Sequence, residues 1–245
     1  MKHSPKYGLI GYPLSHSFSE EYFTRKFKEE QIDAIYQSFP LKDLDQLGEL
    51  ILTENPDGLN VTIPYKEKII PYLHEIDPIA QQVGAVNCIT IRKGRLKGYN
   101  TDVIGFEESL LKHLSLRHKK ALIFGAGGAS LAVRYVLQKH HVPFLHVSRN
   151  EINEGITYGD LTEALFNDYT ILINTTPVGM YPDVNDLLPI PYGFVSDKHF
   201  AFDMIYNPEK TKFLTFCEKE GAQILNGYEM LIIQAEASYS IFTNS

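Results

Sequence analysis

The chain is poor in cysteine, has no excess of basic residues and contains no long apolar run. Only two of its 245 residues are cysteines, Cys88 and Cys217, and they lie far apart in the sequence. Two such residues are most simply buried and reduced, so we expect the protein in the cytoplasm. The formal net charge of -7 argues against nucleic acid as a partner, because neutralising phosphates requires a basic surface.

Membrane insertion, secretion and metal binding find equally little support in the sequence. No apolar run approaches the roughly 20 residues of a membrane span, and residues 1–5 do not open an apolar signal region. The nine histidines form no convincing ligand set with nearby cysteines or carboxylates, so no metal is expected. What is present, 44% hydrophobic and 22% charged residues, is typical of a globular protein.

Short apolar runs alternate with amphipathic runs along the chain, with a break near residue 101. Before the break, strands are predicted at 7–11, 34–39 and 58–63, a hairpin at 85–91 and 95–99, and helices from Ser17, at 41–52 and at 66–76. After it, helices are predicted at 102–114, 129–140 and 227–242, strands at 121–124, 143–147, 171–174, 201–205 and 222–225, and a surface loop at 181–196. This alternation favours parallel βαβ units, so the sequence predicts two α/β domains.

A cluster of polar side chains lies in and after the predicted strand 58–63. Asn60 and Thr62 are two residues apart and point to the same face of a strand, while Pro64 ends the strand because it cannot donate to a ladder. Lys66 follows in the turn or at the start of the next helix. An amide, a hydroxyl and an ammonium around one small volume suit a hydroxylated anionic molecule, with which a lysine can exchange a proton. The alternative is a surface lysine beside two polar residues at a strand edge.

A glycine-rich turn, Gly125-Ala-Gly-Gly-Ala-Ser130, stands between the predicted strand 121–124 and the predicted helix 129–140. Gly125 permits a tight turn, and Gly127 lets the backbone approach a pyrophosphate. The helix N-terminus then offers N–H groups and the positive end of its dipole. The serine at the end replaces the third glycine of the usual dinucleotide fingerprint. Because strand, glycines and helix come in the required order, the turn predicts nucleotide binding.

The residues after the next strand indicate which nucleotide is bound. A site that prefers NAD usually has a carboxylate there for the ribose 2′-hydroxyl, whereas this chain has Ser148-Arg149-Asn150. An arginine matches a 2′-phosphate, and no carboxylate repels it. The sequence therefore predicts NADP as the cofactor, the alternative being a solvent-exposed arginine without a role.

Eight motifs resemble those of the shikimate dehydrogenase family and follow the family's order along nearly the whole chain. They are Gly11-Tyr-Pro-Leu-Ser15-His16-Ser17-Phe-Ser19, Asn60-Val-Thr62-Ile-Pro64-Tyr-Lys66, Gly84-Ala-Val-Asn87, Gly98-Tyr-Asn100-Thr101-Asp102, the glycine turn, Asn174-Thr-Thr176-Pro-Val-Gly179-Met180, Asp203-Met-Ile-Tyr206-Asn-Pro208 and Gly227-Tyr-Glu-Met230-Leu-Ile-Ile-Gln234-Ala235. None is specific alone, but together they form a highly specific signal.

The resemblance implies an enzyme of the pathway to chorismate and the aromatic amino acids, which reduces 3-dehydroshikimate to shikimate with NADPH. It implies a substrate domain of residues 1–101 plus 227–245, with a mixed, mainly parallel sheet, and a Rossmann-type NADP domain of residues 102–226. The residues implied to contact shikimate are Ser15, Ser17, Asn60, Thr62, Lys66, Asn87, Asp102 and Gln234, with Tyr206 and Tyr228 lining the cleft. Those expected to face NADP are Gly125, Gly127, Gly128, Ala129, Ser148, Arg149, Thr175, Met204 and Gly227.

The implied reaction assigns chemistry to these residues. Nicotinamide supplies the hydride, and Ser15 and Ser17 of the first motif are expected to bind the substrate carboxylate. Asn60, Asn87 and Asp102 are expected to bind ring hydroxyls, which would reject analogues that lack them. Lys66 would protonate the developing alkoxide, and Asp102 would also orient Lys66.

Three other functions are compatible with parts of the sequence. A quinate/shikimate dehydrogenase would share the fold and the lysine–aspartate pair, but such enzymes often use NAD, which Arg149 disfavours. A catalytically silent sensor of NADP and a metabolite would not need Lys66 and Asp102. An unrelated reductase would share only the glycine turn and not the N-terminal motifs. The sequence leaves a monomer and a homodimer both open.

Overall fold

Two sheets of six strands each form the framework of the part of the chain that the computed structural model describes, residues 4–14, 18–150 and 155–244. The chain divides into two compact units. The first comprises residues 1–101 and 235–245, and the second comprises residues 102–234.

The first unit contains a mixed sheet. Its strands are β1 (Lys6–Gly11), β2 (Ile35–Pro40), β3 (Gly58–Val61), β4 (Glu75–Ile76), β5 (Cys88–Arg92) and β6 (Arg95–Tyr99). They lie in the order β2-β1-β3-β5-β6-β4. The pairs β1–β2, β1–β3 and β4–β6 are parallel, whereas β5 runs antiparallel to both β3 and β6. The central strand β3 is buried along its whole length, so the polar Asn60 in it needs hydrogen-bond partners within the protein.

Three helices flank this sheet: α1 (Phe18–Glu29), α2 (Leu47–Glu54) and α3 (Pro78–Val83). Helix α1 buries Tyr22, Phe23 and Phe27, as the aromatic spacing predicts. The helix start predicted at Ser17 lies outside the described residues. Helix α3, which the sequence did not predict, begins at the Asp77 side chain, which accepts a hydrogen bond from the backbone of Ile79.

The helix predicted at 66–76 is wrong. The segment contains only a 3-10 turn, Ile70–Tyr72, and then the short strand β4. Pro71 explains the difference, because it lacks the N–H that a helix interior requires and its ring clashes with the preceding turn. The residues between Lys66 and Ile70 therefore form turns rather than a helix.

The second unit is a doubly wound α/β fold. Its elements are α4 (Asp102–Leu111), β7 (Ala121–Phe124), α5 (Gly128–Lys139), β8 (Phe144–Ser148), β9 (Gly155–Thr157), α6 (Glu163–Asp168), β10 (Ile171–Asn174), β11 (Phe200–Asp203), α7 (Lys212–Lys219), β12 (Gln223–Leu225) and the first part of α8 (Tyr228–Asn244). All strand pairs are parallel, in the order β12-β11-β10-β7-β8-β9. Numbered within the unit, this is the order 3-2-1-4-5-6 of dinucleotide-binding folds.

The last helix crosses the division between the units, which falls between Gln234 and Ala235. In the first unit, its Phe242 is buried and stacks on Tyr7 with ring centroids 4.7 Å apart. A Cβ atom on Gly58 would lie 2.6 Å from that phenyl ring. The end of α8 is therefore an integral part of the first unit's core.

The segment 181–196 is an irregular loop with residues 181–183 and 185–187 exposed, as its proline and aspartate content predicts, but it is also anchored in a core. Leu188, Ile190 and Val195 are buried in the core of the second unit. Three buried apolar side chains thus anchor the segment to the core of the second unit, although its only regular element is the 3-10 turn Tyr192–Phe194. Among the described residues, no helix is sufficiently long and apolar to cross a membrane.

Candidate active site

The carboxyl end of β3 carries the first group of candidate residues. Asn60 is 6% exposed, and Thr62 lies just past the strand, half-buried, with its N–H donating to the carbonyl of Ile10 at 2.9 Å. Lys66 is half-buried in the following turn, and its carbonyl accepts from the Val86 N–H at 2.7 Å. The backbone on both sides of the turn is therefore tied to the sheet, which restricts where the lysine side chain can reach.

Asn60 and Asn87 belong to one buried hydrogen-bond network. The Asn60 amide nitrogen donates to the Asn87 carbonyl at 3.2 Å, and its amide oxygen accepts from the Tyr36 hydroxyl at 2.8 Å. The Asn87 side chain donates to Thr101 Oγ1 at 2.9 Å and accepts from the Thr101 N–H at 2.7 Å. Ser238 joins the two asparagines, because its hydroxyl lies 3.0 Å from Asn60 Nδ2 and 3.1 Å from Thr101 Oγ1. The structure thus brings together two predicted residues and three that sequence reasoning did not assign to a network.

Two further predicted substrate residues lie on helices. Asp102 is the first residue of α4 and is 9% exposed, and Gln234, on α8, donates to the Leu231 carbonyl at 3.0 Å. Both belong to the second unit. Ser15 and Ser17 lie outside the described residues.

The glycine turn has the geometry that its sequence predicts. Gly125 follows β7 with φ of 107°, a conformation that side chains other than glycine's rarely adopt, and a Cβ there would lie 2.8 Å from Thr175 Oγ1. Gly127 is exposed, and a Cβ on it would meet nothing within 4 Å. Helix α5 begins at Gly128, followed by Ala129, and the first N–H groups of a helix have no acceptor within the helix itself. Ser130, in place of the third glycine, donates to the Gly127 carbonyl at 2.7 Å and so closes the turn.

A histidine that the sequence did not indicate supports this turn. His146, in β8, is 7% exposed, and its Nδ1 lies 3.0 Å from the Gly125 carbonyl, which can only accept. Burial lowers the pKa of His146, so the neutral ring with its proton on Nδ1 fits the geometry. Thr175, expected to face the cofactor, is 8% exposed and donates its hydroxyl to the Phe124 carbonyl at 2.8 Å. Both side chains hold the backbone around the turn.

The end of β8 presents an exposed arginine. Ser148 is the last residue of the strand, and its hydroxyl donates to the Asn150 carbonyl. Arg149 follows and is exposed. The guanidinium also acts on the half-buried Tyr158: it lowers the pKa of that phenol, which partial burial raises overall. An exposed guanidinium just after the end of β8, which pairs with the strand before the glycine turn, suits a phosphate.

A buried carboxylate organises the ends of β10 and β11. Asp203 accepts from Asn174 Nδ2 at 3.0 Å, from the Ile205 N–H at 3.0 Å and from the Thr211 hydroxyl at 2.6 Å. Burial raises the pKa of Asp203 to about 7, while these three hydrogen bonds lower it. Asn174 and Asp203 are the last residues of two neighbouring parallel strands. Polar residues at the ends of two predicted strands are the sequence signal that could have identified this pair.

The hydrogen bonds around Asp203 fix the backbone that follows β11. Three further predicted residues lie on or against this backbone. The Met204 N–H donates to the Asn174 carbonyl at 3.1 Å, and the Gly227 N–H donates to the Ile205 carbonyl at 3.0 Å. A Cβ on Gly227 would lie 2.1 Å from the Met204 carbonyl oxygen, so only glycine fits there. Tyr206 is 37% exposed. Met204 and Gly227 are thus adjacent. Among the described residues, no three histidine, cysteine or carboxylate side chains form a group that could hold a metal.

The second unit's sheet order and glycine turn define a dinucleotide-binding α/β protein. A sequence model described as the shikimate dehydrogenase substrate binding domain matches residues 9–89. A protein of Methanosphaera stadtmanae named shikimate dehydrogenase (NADP(+)) is 40% identical over 96% of this chain and 90% of its own length. The chain belongs to the shikimate dehydrogenase family.

Solved structures agree with this assignment over nearly the whole chain. The shikimate 5-dehydrogenase of Thermus thermophilus in complex with NADP(H) and shikimate is 26% identical, with a TM-score of 0.87, over 98% of this chain and 94% of its own. A quinate dehydrogenase of Corynebacterium glutamicum in complex with NAD gives the same TM-score and identity, over 99% of this chain and 94% of its own. Fold similarity therefore does not separate the two activities.

Proposed function

We propose that the protein catalyses the reversible, NADP-dependent reduction of 3-dehydroshikimate to shikimate, a step towards chorismate and the aromatic amino acids. The similarity to relatives named shikimate dehydrogenase (NADP(+)), over nearly the full length of both chains, carries this proposal. The exposed Arg149 beside the glycine turn, without a carboxylate at the end of β8, supports NADP over NAD.

The two halves of the reaction are assigned to the two parts of the chain. Residues 1–101 and 227–245 form the substrate domain, in keeping with the family's substrate-binding sequence model, and residues 102–226 form the NADP domain. The glycine turn Gly125–Ala129 takes the pyrophosphate, and Arg149 with Ser148 takes the 2′-phosphate. Thr175, Met204 and Gly227 complete the cofactor side.

The chemistry on the substrate side requires a proton at the carbonyl oxygen. Bound NADPH would supply the hydride for the carbonyl carbon, and Lys66 donates the proton to the carbonyl oxygen. Asp102 orients the lysine and accepts from a ring hydroxyl. The half-buried position of Lys66, on a turn tied to the sheet, supports a positioned proton donor.

Recognition of shikimate uses the remaining polar residues. Ser15 and Ser17 bind the carboxylate through their hydroxyls. Thr62, Asn60, Asn87 and Gln234 face the ring, with Tyr206 at its side. The buried position of Asn60 and Asn87 supports a tight fit, because polar groups removed from water lose free energy when a substrate leaves them unpaired.

Quinate oxidation is the second candidate activity, because the fold matches a quinate dehydrogenase as well as a shikimate dehydrogenase. Arg149 argues against the NAD that the quinate enzyme's structure contains. We place the protein in the cytoplasm as a monomer or homodimer, which size-exclusion chromatography with light scattering measures.

One assay tests the proposal against these alternatives. The purified protein is incubated with 3-dehydroshikimate and either NADPH or NADH, and in reverse with shikimate or quinate and either oxidised cofactor. We expect turnover with 3-dehydroshikimate and NADPH and with shikimate and NADP, and much less with quinate or NAD. A preference for quinate and NAD would establish the second candidate, and binding of ligands without turnover would indicate a sensor.

A further inference from the structure

Ser238 is a buried polar residue on the otherwise apolar face of α8. Its side chain is fully buried, and it lies three residues after Ala235 and four before Phe242, both of which are also buried. A hydroxyl in such a place requires partners, because an unpaired buried polar group costs free energy. It has them in the first unit: Asn60 Nδ2 at 3.0 Å and Thr101 Oγ1 at 3.1 Å. Cys88 makes a further hydrogen bond with it.

The network determines which way the Asn60 amide points. Its nitrogen carries two hydrogens, of which one goes to the Asn87 carbonyl and one to the Ser238 hydroxyl. Its oxygen accepts from the Tyr36 hydroxyl at 2.8 Å, which leaves one lone pair. Asn60 can therefore offer a ligand only an acceptor.

Asn87 has the opposite character. Its oxygen accepts from the Thr101 N–H at 2.7 Å and lies 3.2 Å from the Thr101 hydroxyl. One of its two amide hydrogens goes to Thr101 Oγ1 at 2.9 Å, and within the described part of the chain the other has no protein partner. Asn87 can therefore offer a ligand a donor.

We propose that Ser238 is a positioning residue for substrate specificity: it holds Asn60 as an acceptor and, through Thr101, Asn87 as a donor towards two ring hydroxyls. This rests on the proposed function, since it concerns the hydroxyls of shikimate. Without the serine hydroxyl, one Asn60 hydrogen loses its partner and the amide is free to rotate or flip, so the two amides no longer select hydroxyls by polarity.

The test compares three single variants with the wild type. Ser238→Ala removes the hydroxyl, and Ser238→Cys replaces it with a weak hydrogen-bonding group of similar size, which serves if the alanine variant does not fold. Ser240→Ala is the matched control, an exposed serine on the same helix. The measurements are kcat and KM for shikimate and for NADP, and kcat/KM for shikimate analogues that each lack one ring hydroxyl.

Both Ser238 variants should raise KM for shikimate by about 5- to 30-fold, the factor expected for one or two lost buried hydrogen bonds, with KM for NADP and kcat nearly unchanged. Their discrimination against the deoxy analogues should fall by a similar factor, while Ser240→Ala behaves as the wild type.

Two results would overturn the inference while leaving the proposed function intact. One is wild-type KM for shikimate in both Ser238 variants. The other is a raised KM with unchanged discrimination against the deoxy analogues, which would mean general loosening of the fold. A wild-type protein without turnover on shikimate would instead refute the proposed function, and the inference with it.

Discussion

At the scale of single residues, Lys66 is the most consequential candidate. Its position after β3 follows from Pro64 and from the backbone hydrogen bonds of the turn, and its role as proton donor is part of the proposed function. The lysine itself was recognisable in the sequence because an amide and a hydroxyl precede it.

Replacement of Lys66 by alanine should lower kcat by about 10²- to 10⁴-fold, the usual contribution of a positioned acid, while the affinity for shikimate changes much less. Steady-state kinetics and equilibrium binding of shikimate measure the two effects separately. Lys68→Ala, which removes an exposed lysine two residues further on, is the control. Near-normal turnover of the Lys66 variant would exclude the proton-donor role.

Asp102 should matter through its charge. Asp102→Asn keeps a side chain that can cap α4 but removes the carboxylate, and we expect kcat to fall by at least about 10²-fold with the fold unchanged. Kinetics combined with thermal denaturation test this. Wild-type activity in the variant would assign Asp102 to helix capping alone.

Arg149 should determine the choice of cofactor. Arg149→Ala removes a charged partner of the 2′-phosphate, so KM for NADP should rise by about 10- to 100-fold while KM for NAD stays the same. Arg95→Ala, which removes an exposed arginine from the hairpin of the first unit, is the control. An equal effect on both cofactors would mean that the guanidinium does not contact the 2′-phosphate.

At the scale of elements, the strand ends and the turns between them carry most of the predicted residues. Apolar runs made β7 and β10 predictable to the residue. Helices α3, α6 and α7 and strand β9 were not predicted. Helices α3 and α6 and strand β9 are too short to show a period, whereas α7 buries Phe213, Leu214 and Cys217 on one face, an amphipathic pattern that the sequence prediction missed. The segment 181–196 was likewise held by distant apolar contacts that its local composition does not reveal.

The close approach at Gly227 gives a test at this scale. Gly227→Ala places a Cβ 2.1 Å from the Met204 carbonyl oxygen, so the backbone must shift. We expect a loss of about 1–3 kcal/mol in the free energy of unfolding, together with weaker NADP binding.

Gly48→Ala is the opposing control for this experiment. Gly48 lies in α2, and a Cβ there would meet nothing within 4 Å. Alanine should therefore stabilise the protein by about 0.5–1 kcal/mol through helix propensity. Urea denaturation measures both variants, and a stable Gly227→Ala protein with normal NADP affinity would contradict the steric account.

At the scale of the whole molecule, buried titratable groups make stability depend on pH. His118 and His199 each accept a hydrogen bond on Nδ1 from the backbone of the serine three residues earlier, at 3.0 Å. Burial lowers the pKa of both below the ordinary value of 6.5. Their neutral form is the one that the fold prefers, so the stability they contribute is complete above pH 6.5 and is lost as the pH falls below it.

Asp203 acts in the opposite direction. Its pKa is raised to about 7, so the fold prefers the protonated carboxyl, and acidification from pH 7 adds stability from this group. The net pH profile of the wild type thus combines two opposing contributions, and a variant is needed to separate them.

His118→Asn removes the titration but keeps an acceptor near the position of Nδ1. Between about pH 7.5 and pH 5.5, the variant should lose less stability than the wild type. Urea denaturation at several pH values measures the difference between the two proteins, in which the contribution of Asp203 cancels. Parallel profiles would show that His118 does not titrate in this range.

The sequence by itself determined the α/β class, the family, the nucleotide turn and the residues proposed for catalysis, because these depend on local patterns: apolar periodicity, glycines that only one backbone geometry requires, and motifs in a set order. The tertiary structure alone decided that Asn60, Asn87 and Thr101 share a network with Tyr36 and Ser238, that His146 supports the glycine turn, and that Gly227 adjoins Met204. The hydrogen-bonded residues lie 14 to 178 positions apart in the sequence, and the contact at Gly227 depends on backbone packing. No local sequence pattern encodes which distant polar groups will form hydrogen bonds with one another once water has been excluded.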